Sequence, residues 1–64
     1  MNDGVVNKYY HLAMRDIVNG ESLDELHAAI KFYETTENYE ACAGIKKAID
    51  EAEKSTIINL DNGH

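Results

Sequence analysis

A chain of 64 residues with a formal net charge of −6, one cysteine and no proline is a single small domain. Chains of this length bury only about 60% of the surface exposed by their unfolded form. The core is therefore thin, a concave substrate pocket has little material to build it, and association with another chain is a source of extra stability. Lone Cys42 excludes an intramolecular disulfide framework, and no stretch approaches the ~20 apolar residues of a bilayer span. The N-terminus lacks the basic region and long apolar run of a secretory signal, so a soluble, cytoplasmic protein is expected.

The first predicted helix runs from near residue 4 to 19, with Asn2 or Asp3 as its cap and Asn19-Gly20 as its stop. Its apolar residues include Val5, Val6, Tyr9, Tyr10, Leu12, Ala13, Met14, Ile17 and Val18, a stripe wider than a coiled-coil seam. So broad a stripe implies more than one neighbour, with apolar surface left over.

The second predicted helix, 22 to 36, opens on Ser22-Leu-Asp-Glu25, the form of a capping box. There the Ser side chain takes one orphan N–H and the Glu reaches back to another. Leu23, Leu26, Ile30 and Tyr33 then fall at helical spacing on one face. A polar turn at Thr35 to Asn38 leads into the third predicted helix, 38 to 54, whose seam is Tyr39, Cys42, Ile45, Ile49 and Ala52. Gly44 costs roughly 1 kcal/mol in a helix interior. The small run Ala41 to Gly44 is expected to admit Phe32 or Tyr33 from across the hairpin.

Residues 1–54 are thus predicted to form an all-α three-helix bundle built on an antiparallel helical hairpin. From Ser55 the pattern changes to Thr56-Ile57-Ile58-Asn59-Leu60, and residues 55–64 read as a short C-terminal tail, flexible or loosely docked.

The acidity is localised. Glu21, Asp24, Glu25, Glu34, Glu37 and Glu40 stand against Lys31 alone in the second helix and its flanks, whereas the other segments are nearly balanced. Such a surface repels phosphate backbones and disfavours direct nucleic-acid binding. The tyrosines at 9, 10, 33 and 39 and Phe32 lack the basic groove of a base-stacking platform, and core packing accounts for Phe32 and at least two of the tyrosines. The remaining rings suit interface anchors.

Metal binding is not expected. His11, His27, His64 and Cys42 supply one carboxylate-x-x-His pair, Asp24 to His27, where a di-iron helical site needs two and structural zinc needs four convergent ligands. Cys42 lies on the apolar seam among alanines, the setting of an inert thiol, and no Cys-His arrangement with an orienting third group can be placed. No enzymatic activity and no cofactor are expected.

Residues 26–49 resemble the UVR motif, the helical hairpin of the excision-repair proteins UvrB and UvrC and of McsA-type regulators. The likeness is carried by the run Glu37-Asn-Tyr39-Glu40-Ala-Cys42-Ala43-Gly-Ile45-Lys46-Lys47-Ala-Ile49. The chain departs from that pattern at Lys46-Lys47, where an Arg-Asp pair is usual, and lacks the zinc-binding cysteine pairs of McsA-like proteins. The resemblance implies a hairpin that docks on a similar hairpin or on a partner protein.

Two functions are therefore expected. The preferred one is a non-enzymatic adaptor or regulator docking on a larger host protein through its hairpin, and forming a homodimer in isolation. Tyr33, Glu37, Tyr39 and Glu40 would surround the hairpin tip, with Lys46 and Lys47 one to two turns further along. The alternative is an acidic inhibitor of the phage or mobile-element type that imitates nucleic acid and blocks a nucleic-acid-binding enzyme.

Overall fold

The computed structural model describes the backbone of residues 1–62 and the side chains of residues 1–54. It contains α1 (Asp3–Val18), α2 (Leu23–Thr35) and α3 (Tyr39–Asn62), with no strand among the described residues. The fold is a small all-α bundle. The third helix continues to Asn62 instead of ending at 54. Thr56, Ile57 and Ile58 lower helix propensity by only tenths of a kcal/mol each, and extending an existing helix avoids the cost of nucleating a new one. The expected docking or mobility of a tail at 55–64 lies outside the described side chains.

Each helix start follows from local chemistry. The Asn2 side chain accepts from the N–H groups of Gly4 and Val5 at 2.9 and 3.2 Å. Ser22 Oγ accepts from the Glu25 N–H at 3.2 Å, and Asn38 Oδ1 from the Ala41 N–H at 3.3 Å. These three side chains satisfy N–H groups that have no partner within their own helices. Only the Ser22 half of the expected capping box forms, because the Glu25 carboxyl meets Glu21 instead of reaching back to the cap.

The core is built around α3. Leu26 and Ile30 of α2 and Ala13 of α1 are buried with Cys42, Ile45, Ala48 and Ile49, and Tyr10, Met14, Ile17, Leu23, Ala29 and Tyr33 pack around them. Burying an Ile or Leu side chain contributes about 1.5 to 3 kcal/mol, so four such residues carry most of this thin core. Phe32 corrects the expectation of a core ring, since it is 61% exposed. It falls off the face defined by Leu26, Ile30 and Tyr33.

Gly44 also corrects the reading. It faces α1 and not Phe32 or Tyr33: a Cβ at this position would strike the Val6 carbonyl oxygen, and would stand 2.8 Å from both the Tyr10 nitrogen and Tyr9 Cβ. The missing side chain lets two helix backbones approach. Ala41 and Ala48, three and four residues away and both fully buried, extend this small face by helical spacing. The adjacent face, Cys42 with Ile49, turns to α2, where Cys42 Sγ lies 3.5 Å from the Ile30 carbonyl oxygen. Thus the backbones of α1 and α2 each pack closely on α3 and meet one another through side chains, Tyr9 with Tyr33 among them.

Candidate interaction site

The turn between α2 and α3, the tip of the expected hairpin, begins where α2 ends. Asn38 N–H donates to Tyr33 O at 2.9 Å and Glu37 N–H to Glu34 O at 3.1 Å, the paired bonds of a Schellman ending. That geometry places Glu37 at φ 59°, in the left-handed region that favours glycine. Among the described residues it is the one non-glycine with a positive φ. The Glu37 side chain stands exposed beside Met1, Tyr39 and Glu40 around a shallow depression of about 310 Å³. Tyr39 is 55% exposed and Met1 78%.

The six residues singled out from the sequence occupy different settings. Glu37 and Tyr39 form the open tip. Glu40, half-buried, accepts from the Asn2 N–H at 2.8 Å and so ties the N-terminus of α1 to that of α3. A carboxylate is favoured there by the partial positive charge of both helix N-termini. Tyr33 sits a turn back from the tip, its ring edge-on to Tyr9 at 5.7 Å and to Phe32 at 5.4 Å. Lys47 lies over the Tyr10 ring at 4.7 Å, a contact worth about 0.5 to 1 kcal/mol at an exposed site. Lys46 points to another side, into a cleft of about 300 Å³ between α2 and α3 that is floored by Ile30 and Ile49 and rimmed by His27, Lys31 and Glu34. The structure brings Glu37, Tyr39 and Glu40 together and places the two lysines apart from them.

A third concavity was missed from the sequence. Because the backbones of α1 and α2 stand apart, a groove of about 270 Å³ opens between them, lined by Tyr9, Leu12 and Ala13 of α1, Leu26 and Ala29 of α2, and floored by Ile45. The Tyr9–Tyr33 ring contact spans it toward the tip. Asp16 also lines it, and its charge reaches Glu21 across the turn between α1 and α2. The Glu25 carboxyl beside Glu21, through a hydrogen bond and charge repulsion, with a further contribution from Asp16, raises the Glu21 carboxyl above its ordinary value. The breadth of the apolar stripe on α1 was the available signal: Leu12 belongs to it and remains 43% exposed on the groove's rim.

Cys42 is buried and unpaired by any disulfide. Among the described residues no group of three or more His, Cys, Asp and Glu side chains is disposed to hold a metal ion. No helix is long and apolar enough to cross a membrane, within the same described residues. Comparisons with family models, with curated proteins and with solved structures found no match to this chain.

Proposed function

We propose that this protein is a small non-enzymatic interaction module, an adaptor or regulator that docks on a larger protein through the tip of its helical hairpin. The observation that carries the reading is the tip itself. Tyr39 and Met1 expose apolar surface beside Glu37, whose backbone conformation is retained at a cost of about 1 kcal/mol although glycine would adopt it freely. Strained positions of this kind concentrate at binding and switch sites, and amphipathic aromatic rings are favoured interface anchors. The resemblance to the UVR hairpin supports the same use of the same segment.

The test is comparative capture from the cells of origin by the full chain and by a Tyr39→Ala variant, with Glu51→Gln as a surface control. A partner retained by the control and lost with Tyr39→Ala is the expected result. Capture indifferent to Tyr39 overturns docking at the tip. The leftover apolar surface on α1 motivates a homodimer in isolation, which sedimentation over a range of concentrations tests. A monomer at every concentration counts against it.

The crowded carboxylates Asp16, Glu21 and Glu25 favour a second reading, the acidic inhibitor that imitates nucleic acid. The two separate on ionic strength, since charges in solvent are screened over about 8 Å at physiological salt. Apolar docking at the tip survives added salt, whereas mimicry weakens steeply.

A further inference from the structure

We infer that Asn19 is a site of spontaneous covalent modification, in which the Gly20 backbone nitrogen closes on the Asn19 side-chain carbonyl carbon and ammonia leaves, at a rate set by opening of the turn between α1 and α2. The chemistry needs no partner and is independent of docking at the tip.

The reactive pair follows from what the turn requires. Helix α1 ends in a Schellman pair, in which Gly20 N–H donates to Ile17 O at 3.0 Å and Glu21 N–H to Asp16 O at 2.9 Å. That ending holds Gly20 at φ 97°, a conformation that glycine adopts freely. Asn19 is exposed, and a Cβ built on Gly20 would meet nothing within 4 Å, so no other part of the chain crowds the pair. The nitrogen that follows Asn19 also carries no side-chain bulk to hinder its approach to a carbonyl. The residue that suits the turn is thus the one that leaves the asparagine open to attack by its own backbone.

The closed turn holds the reaction back in two ways. Asn19 has ψ 1°, so the Gly20 nitrogen eclipses Asn19's own nitrogen, whereas closing a succinimide ring requires it to eclipse Cβ. The Gly20 N–H is also engaged by the Ile17 carbonyl. Rotation about ψ breaks both bonds of the pair and disturbs little else, since Val18 is 80% exposed and residues 19 to 22 are exposed as well. Segments held by so few contacts open at a small part of the global unfolding free energy.

In the opened turn, solvent base takes the Gly20 amide proton, the nitrogen bonds to Asn19 Cγ, and the side-chain nitrogen gains a proton and departs as ammonia. Water then adds to either carbonyl of the cyclic imide. Breaking the former side-chain branch restores the ordinary main chain with aspartate at 19. Breaking the main-chain branch leaves isoaspartate, with an extra methylene in the backbone. That methylene displaces the Gly20 and Glu21 N–H groups from the Ile17 and Asp16 carbonyls. Either product also adds a carboxylate at the negative end of α1, three residues after Asp16. The modified turn therefore opens more readily than the original.

The test incubates the full chain at mildly alkaline pH, folded and in urea. Conversion is read by peptide mapping, because the same dipeptide recurs at Asn62-Gly63. Asn19 is expected to convert about tenfold more slowly in the folded chain than in urea. Ile30→Val, which weakens the core away from this turn, should leave the folded rate unchanged. The purified isoaspartyl chain should unfold at lower urea than Asn19→Asp, which carries the charge without the methylene. Equal rates in the folded and unfolded chains overturn the inference, as does a folded chain unconverted at Asn19 when the urea sample is exhausted. A folded rate that rises with Ile30→Val in step with the loss of global stability, or an isoaspartyl chain as stable as Asn19→Asp, also overturns it.

Discussion

The two flanks of α3 are packed by different means. Against α1 the chain has removed side chains: Ala41, Gly44 and Ala48 form a smooth strip, and Val6, Tyr9 and Tyr10 come to within backbone contact of Gly44. Against α2 it has kept them, and Leu26 and Ile30 meet Cys42, Ile45 and Ile49 in ordinary apolar packing. The first flank fails when atoms are added and the second when atoms are removed. Close approach on one side and spacing by side chains on the other also leave the backbones of α1 and α2 apart, which creates the groove.

Adding one methyl group to the α1 flank should therefore give the largest effect. Gly44→Ala places a Cβ on backbone atoms of α1 that cannot rotate away, and is expected to cost about 3 kcal/mol or more. A domain of this size has roughly 3 to 10 kcal/mol in total, so the variant should be unfolded or close to it in urea titration. Removing one methyl group from the other flank is milder. Ile30→Val should lower stability by about 1 kcal/mol in the same titration, because the site loses a methylene and the neighbours relax partly.

The helix ends extend the contrast between what is strained and what is relaxed. Both α1 and α2 finish in the same pair of bonds, Glu21 N–H to Asp16 O with Gly20 N–H to Ile17 O, and Asn38 N–H to Tyr33 O with Glu37 N–H to Glu34 O. The left-handed residue is glycine in the first, at φ 97°, and glutamate in the second. Gly20→Ala should thus lose about 1 kcal/mol and Glu37→Gly gain about 1 kcal/mol in thermal unfolding. If Glu37→Gly stabilises the fold yet weakens capture of the partner, the strained residue is retained for its side chain at the tip.

The smallest effect is electrostatic. Glu21 binds its proton more tightly in the folded chain than in the unfolded one, because Glu25 and then Asp16 oppose its charge. Its contribution therefore favours folding as pH falls through the raised value and is lost as pH climbs above it. Glu21→Gln should flatten the stability profile across the carboxylate range and leave it unchanged at alkaline pH apart from a constant offset, as measured by urea titrations at several pH values.

Much of this was legible in the sequence where the signal is local. Ser22 and Gly20 mark helix boundaries by side-chain and backbone chemistry that needs no tertiary context, and the seams Leu26-Ile30 and Cys42-Ile45-Ile49 follow from helical periodicity. The partner of Gly44 was not legible in that way. Ala41 to Gly44 reads as one small run, but Ala41, Gly44 and Ala48 share one face of α3 while Cys42 and Ile49 occupy another, so a single stretch serves two neighbours. Phe32 and Tyr33 are adjacent in sequence yet about 100° apart around the helix, and periodicity alone could not say which would be left exposed. The end of α3 was missed because β-branched residues disfavour a helix too weakly to stop one already formed. The location of Glu37 and Tyr39 at the turn between α2 and α3 followed from the polar run that separates the two helices. The tie from Glu40 to Asn2 spans the chain and has no local mark.

The arrangement of α1 against the small face of α3 underlies the groove, the Asn2–Glu40 tie and the exposure of the tip. Nuclear Overhauser effects from the Gly44 α-protons test it most directly. Cross-peaks to the Tyr10 amide proton and to protons of Val6 and Tyr9 are predicted. Cross-peaks from Gly44 to the Phe32 or Tyr33 rings, with none to α1, would contradict the account.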